Sequence, residues 1–189
     1  MKKFLLVIAL VAIFATGTVF ADHPDGFGLG GLYTYGGFGR DVSDPETAAY
    51  ASIFSMGYGL SLKIPGVPIF WGLKVAFNSF AFGLALTGDY YFIDQQISDV
   101  GLGWYLGAGL FVDWFNIDVW LFQISVIDFG LRVPIGLDFI FDSKFEIFLE
   151  AAPSAGLGLP SMSAGGVTVN GDPAFLWDVP VTVGVRYWF

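Results

Sequence analysis

Trp177-Asp-Val-Pro-Val-Thr-Val-Gly-Val-Arg-Tyr-Trp-Phe189 is the stretch on which the reading of this chain turns. Its odd positions are Trp177, Val179, Val181, Val183, Val185, Tyr187 and Phe189. Asp178, Pro180, Thr182, Gly184, Arg186 and Trp188 alternate with them. A period of two puts the apolar set on one face of a strand and the mixed set on the other. Phe129–Phe141 repeats the pattern, with Phe, Leu, Val, Ile, Leu, Phe and Phe at odd positions against Gly130, Arg132, Pro134, Gly136, Asp138 and Ile140. Leu102–Trp114 does the same on even positions. Each run is 13 residues long. Strands of globular proteins centre near five or six residues, whereas tilted membrane-crossing strands need about 9–11. Length favours the membrane.

Composition agrees. The chain has 189 residues, room for one domain or two small ones. It is 55% hydrophobic and only 13% charged, where a soluble surface needs roughly 25%. Aromatics make up 19% and glycine counts 26, a mix suited to a tightly curved β structure. With no cysteine, disulfides, Cys-ligated zinc, thiol catalysis and a lipidated N-terminal Cys are excluded. His23 is the single histidine, which removes most metal and triad chemistry, and no cofactor is expected. A formal charge of −9 argues against nucleic acid as a partner.

Met1-Lys2-Lys3, the apolar run from Phe4, and Val19-Phe20-Ala21 before Asp22 follow the grammar of a secretory signal peptide. Residues 1–21 are therefore expected to be an address and 22–189 the barrel. No later segment could span as a helix: the longest uncharged stretch, Ala151–Gly171, holds two Pro and five Gly. Continued alternation predicts eight strands near 26–38, 50–63, 69–79, 81–92, 100–114, 126–141, 144–157 and 176–189. The fold expected is all-β, a closed antiparallel up-and-down transmembrane barrel of eight strands. Trp71, Trp104, Trp114, Trp120, Trp177, Tyr187 and Trp188 lie near predicted strand ends, as an aromatic girdle at the two membrane interfaces requires.

A terminal Phe189 with Tyr187, Val185, Val183 and Val181 upstream resembles the C-terminal sorting signal of bacterial outer-membrane barrels. The overall pattern is similar to the small barrels of the OmpA transmembrane domain, OmpX and OmpW type. Gly130-Leu-Arg-Val-Pro-Ile-Gly136, Phe148-Leu-Glu-Ala-Ala-Pro153 and Gly184-Val-Arg-Tyr-Trp-Phe189 resemble still more a largely uncharacterised barrel family of spirochaetes and other diderms. The resemblance implies location in the outer membrane of a diderm bacterium, contact with its lipid, and delivery to the barrel-assembly machinery through the last strand.

If the long apolar faces meet lipid, Lys74, Asp89, Asp113, Arg132, Asp138, Glu146, Glu150, Asp178 and Arg186 face the lumen. An eight-stranded barrel is just wide enough for its own side chains to fill. A turn centred near Asp142 would set Glu150 diagonal to Arg132 and Asp138 opposite Glu146, with Arg186 beside them on the next strand. The expected clusters are thus Arg186–Glu146–Asp138 and Arg132–Glu150, with Lys74–Asp89 as a third pair across a short hairpin. Pro134, Pro153 and Pro180 conflict with a closed sheet unless they form a belt of bulges. His23, outside any strand, reads as a solvated terminal residue.

Outward loops are expected near 39–49, 79–81, 115–126 and 158–175, with 39–49 and 158–175 the candidates for an extracellular ligand. Residues 119–127 are apolar and reverse the phase of strand six. A bulge near Ile127-Asp128 would explain that, or a hydrophobic mouth formed by Trp120, Leu121, Phe122 and Ile124. The function expected is a structural or surface-interaction barrel with a filled lumen. The rivals are a narrow channel or carrier for small, hydrophobic solutes and a soluble periplasmic lipocalin-like lipid binder. An enzyme is not expected, because His23 lies just past the cleavage site outside any strand and no substrate could reach paired carboxylates inside a filled barrel.

Overall fold

The protein was analysed as a computed structural model that describes residues 23–36, 40–41, 56–77, 79–98, 101–119 and 121–189. The expected signal peptide, most of the 39–49 loop and Trp120 lie outside the described residues. Thirteen strands follow in order: β1 (Gly28–Tyr35), β2 (Arg40–Asp41), β3 (Met56–Lys63), β4 (Phe70–Phe77), β5 (Ala81–Gln96), β6 (Leu102–Val119), β7 (Phe122–Arg132), β8 (Ile135–Phe141), β9 (Phe145–Ala151), β10 (Ser154–Ala164), β11 (Val167–Asn170), β12 (Ala174–Asp178) and β13 (Val181–Trp188). They make eight staves, because β7 continues into β8, β9 into β10 and β12 into β13, while β11 is a hairpin arm on β10 and the short β2 pairs with β12 beyond β1. Antiparallel pairing runs β1, β3, β4, β5, β6, β7/β8, β9/β10, β12/β13 and back to β1. The sheet closes on itself as an eight-stranded up-and-down barrel.

Each interrupted stave breaks at a proline: Val133-Pro134, Ala152-Pro153 and Val179-Pro180. The expected bulge belt is not what holds them. From β6 across to β12/β13, pairing is in the same register above and below each break, so no residue is inserted between these staves. Instead the Pro carbonyls accept from the next stave: Gly107 N–H to Pro134 O (2.8 Å), Val133 N–H to Pro153 O and Ala152 N–H to Pro180 O (both 2.9 Å). Each proline forfeits only the bond its missing N–H would have donated. The three half-bonded pairs form one diagonal seam across four staves.

Burial follows the period-two pattern, with charges and glycines inward and Leu, Val, Ile and Phe outward. That is the reverse of the arrangement a soluble lipid-binding barrel needs, and the lipocalin-like reading is set aside on it. On β6 the outward apolar set runs from Leu102 to Trp114 and gives way to Asn116 and Asp118. The same change falls at Ser125 on β7 and Ser161 on β10, which pair with Asn116 and with each other. Above this row the inside turns apolar: Phe115, Ile117 and Ile124 pack with Ala76, Ala81 and Ala85. The reversed phase of 119–127 is this inversion of polarity, not a bulge, since β6 and β7 pair without a register shift from Gly109–Arg132 to Val119–Phe122.

Two expected loops are strand instead. Residues 115–126 are the top of the β6–β7 hairpin, and much of 158–175 is the β10–β11 hairpin. Its turn, Gly165-Gly166 (φ 56° and 83°), is the doubly left-handed kind that matches strand twist.

Candidate functional site

The lumen is filled, and its organisation starts at the lower rim, where Phe189 ends the last stave. One extra residue on β5, Phe92, shifts the register between Tyr91 and Ile93. A bulge of this kind re-aims the side chains beyond it. Here it turns Asp94 inward, although simple alternation from Asp89 would put it outside.

Asp94 meets His23. Far from being solvated, His23 is 6% exposed. Its Nδ1 lies 2.8 Å from Asp94 Oδ1, its backbone N–H donates to Asp94 Oδ2 (3.3 Å), and its Nε2 lies 3.4 Å from Glu146 Oε1. Four rings enclose it: Phe70, Tyr91, Tyr105 and Trp188, with centroids 5.0–6.0 Å away. Burial alone would push the imidazolium towards neutrality, but Glu146 and Asp94 outweigh it and hold the pKa up at about 10. With Asp94 bonded at Nδ1 and Glu146 within ion-pair reach of Nε2, protonation of the ring is favoured, and the ring stoppers the barrel.

Glu146 is the hub of this end. Arg186, its directly opposite partner on β13, donates from one nitrogen to both carboxylate oxygens (2.7 and 2.6 Å), and Trp188 Nε1 donates at 2.9 Å. The Arg186 guanidinium also donates to Ser61 Oγ, and it lies 4.9–5.3 Å from the rings of Phe70, Phe148 and Trp188. Trp188, expected in the girdle, therefore belongs to the lumen: it shares the parity of Thr182, Gly184 and Arg186.

One level higher, Phe70, Tyr91 and Tyr105 stack across the barrel with centroids 4.2 and 4.3 Å apart. Both tyrosine hydroxyls donate to Glu150 Oε2 (3.3 and 3.2 Å), while Arg132 donates to Glu150 Oε1 and lies 3.4 Å from Asp89. Gly136 makes this possible, since Tyr105 lies flat over the space a Cβ there would fill.

Arg132–Glu150 and Arg186–Glu146 are thus brought together, by a register slightly different from the expected one. Asp142 and Ser143 both adopt left-handed backbone (φ 49° and 55°), and Phe141 faces Phe145. The turn is centred one residue later than Asp142, so Glu150 opposes Gly136 and is no longer diagonal to Arg132, and Asp138 opposes Phe148 rather than Glu146. The Lys74–Asp89 pair is likewise displaced. Phe77 faces Phe82, which sets Lys74 opposite Ala85 and Asp89 opposite Phe70, where Arg132 takes it.

The remaining girdle residues among those described are outward. Trp114, now mid-strand, donates to Ser125 Oγ at the polar row (3.0 Å), Trp177 is exposed, and Trp71 and Trp104 are half-buried. The lower collar is built mostly by residues other than Trp: Phe27, Phe139, Phe141, Phe145, Tyr187 and Phe189 meet edge-on or tilted. Of the expected mouth, Leu121 and Phe122 are exposed at the hairpin top, and Ile124 packs into the apolar cap.

Residues 32–187 match the family described as "Protein of unknown function (DUF3996)". The chain belongs to that family. No curated protein matches it. Its fold is similar to the crystal structure of Neisserial surface protein A, at 12% identity and a TM-score of 0.46, over 86% of this chain and 97% of that one.

In this DUF3996 chain two small cavities of about 20 and 30 Å³ border Arg132, each room for a water or two. A larger one of about 540 Å³ lies at the lower rim, lined by His23, Lys63, Phe70, Tyr91 and Asp94. The sequence reading missed His23 and Asp94, hidden by a bulge, and Asp128, whose even parity with Gly130 and Arg132 marks it as lumenal.

Proposed function

We propose that the protein is an integral outer-membrane barrel with a structural or surface-interaction role and a lumen that does not conduct. The observation that carries this reading is the outward apolar band. On β6 it spans 12 residue steps from Leu102 to Trp114. At about 3.4 Å per residue and a tilt of about 45°, this amounts to roughly 29 Å, close to a hydrocarbon core. The row of Asn116, Ser125 and Ser161 ends the band on the outer side, and the aromatic collar ends it on the periplasmic side.

Filling of the lumen supports a closed barrel over a channel: His23 stoppers one end, the apolar cap the other, and between them Arg186 engages Glu146 and Arg132 engages Glu150 and Asp89. It also supports a non-enzymatic role, because both nitrogens of the single histidine face carboxylates and none is left to activate a nucleophile. The interaction role rests on the β6–β7 and β10–β11 hairpins, which rise above the polar row and present Leu121, Phe122, Val167 and Val169 to solvent. The last strand, with Val181, Val183, Val185, Tyr187 and Phe189 on its outward face, suits recognition by the barrel-assembly machinery.

The test is a gel of detergent-extracted outer membrane with and without boiling, followed by planar-bilayer recording. A heat-dependent mobility shift with no steady conductance is expected. Recovery in the soluble periplasm would overturn the membrane reading. A steady, reproducible conductance would overturn the closed lumen in favour of a narrow channel.

A further inference from the structure

The lower-rim cavity of about 540 Å³ falls within the range of about 300–1,000 Å³ usual for small-molecule sites. Lys63, the last residue of β3, lines it and is only 7% exposed. A Lys at a barrel rim can ordinarily carry its ammonium out to water. This one instead places Nζ 5.6 Å from the centroid of the Phe70 ring. Its Nζ donates to the carbonyl of Ile64 (3.3 Å), an oxygen that already accepts from Val67 N–H (3.1 Å). Pro65 and Gly66 (φ 71°) give that turn the residues of type II, which fixes the shared carbonyl in place. An ammonium so buried, with one shared acceptor, is costly to hold without a counter-ion.

Four charged side chains line the cavity: His23, Asp25, Lys63 and Asp94. His23 and Asp94 hold each other at 2.8 Å. Lys63 and Asp25 are left, and among the described residues neither has an ion-pair partner. Asp25 is exposed, so the cavity reaches the periplasmic surface there. Pro68, Phe70 and Tyr91 add apolar wall. A simple anion would meet Lys63 but be repelled by Asp25, and a simple cation would meet the reverse. A molecule with both charges and an apolar body satisfies the whole lining.

We infer that this cavity binds a zwitterion of the amino-acid or short-peptide class, its carboxylate on Lys63 and its ammonium on Asp25. The apolar side chain of the ligand lies against Pro68, Phe70 and Tyr91. Binding requires no passage through the lumen, because the cavity is entered from the rim. The site therefore adds a periplasmic binding function to a barrel whose interior stays closed.

The experiment is calorimetric titration of the full chain, refolded into lipid nanodiscs, with L-phenylalanine and with the dipeptide Leu-Phe. The N-acetyl and C-terminal amide forms of the dipeptide are titrated beside them. About one ligand per chain is expected, and blocking either end should weaken binding about tenfold or more. The tighter of the two unblocked probes tells a free amino acid from a peptide. Lys63→Met and Asp25→Asn should both keep the heat-dependent mobility shift, which separates loss of the site from loss of the barrel. Lys63→Met should bind the amide as well as the free acid, and Asp25→Asn the N-acetyl form as well as the free amine. Misfolding could not produce that crossed pattern. No binding of either unblocked probe at millimolar concentration would overturn the site, as would equal binding of all dipeptide forms. Tight binding of the N-acetyl form by the wild type would make it a site for simple anions and refute the zwitterion.

Discussion

His23 shows how one residue can carry a whole end of the barrel. It has two carboxylate contacts and a four-ring enclosure, so His23→Ala leaves Asp94 buried without its cation, a loss of about 3–5 kcal/mol. The pH dependence follows from the direction of the shift. The folded-state pKa of about 10 lies above the unfolded value of 6.5, so protonation favours the fold. The contribution is complete below about pH 6.5, declines as pH rises, and is gone above about 10. The gap between wild type and His23→Ala in urea-unfolding midpoint should therefore be wide at pH 6 and close by pH 10.5; a gap that widened with pH would mean the ring is held neutral. Gly136 tests the level above. Gly136→Ala drives a methyl into the Tyr105 ring, and moving the ring breaks its stack on Tyr91 and its bond to Glu150. Such overpacking costs about 1–3 kcal/mol, readable as a lower urea midpoint at unchanged pH dependence.

At the scale of the strand, the parity of alternation was legible in the sequence from Phe70 to Phe189, because a one-residue slip would turn every lipid-facing Leu and Val inward. What was not legible depended on single residues whose effect is to shift a register. Phe92 flips the phase of β5 and delivers Asp94 to the lumen, and nothing in Tyr90-Tyr91-Phe92-Ile93 announces it. Asp142 and Ser143 move a turn by one residue and thereby reassign the partners of Asp138 and Glu150. The prolines were visible as a conflict, but its resolution needed the neighbouring staves: the seam costs only three donated bonds because each Pro keeps its carbonyl in the ladder. Pro153→Val isolates that cost, since the side chain points outward and a restored N–H would face Val133 O. A gain of about 1 kcal/mol in unfolding free energy is expected, partly offset by the freer unfolded chain. Hydrogen exchange should meanwhile find the Gly107, Val133 and Ala152 amides protected in the wild type. Fast exchange at these three would show that the seam is open.

For the molecule as a whole, two polarities cross. Through the band the outside is apolar and the inside charged; above the row of Asn116, Ser125 and Ser161 the outside mixes polar residues such as Asp118 and Gln123 with Leu121, Phe122, Val167 and Val169, and the inside is apolar. The top of the barrel thus packs like a small soluble β domain while its body packs like a membrane one, and both share the same continuous strands. Tryptophans report this arrangement because they fall on different sides of the wall. Trp177 and Trp114 face outward, whereas Trp188, 2% exposed, donates to Glu146 inside. Single-Trp variants, with the other five replaced by Phe, can be refolded into bilayers of brominated lipid, whose bromines quench only fluorophores that touch the acyl chains. Trp177 and Trp114 should lose most of their emission relative to unbrominated lipid, Trp114 less than Trp177 if its bond to Ser125 holds it at the headgroup level. Trp188 should lose little. Equal quenching at Trp188 would turn the last strand inside out and, with it, the Arg186–Glu146–His23 stopper that depends on the same parity.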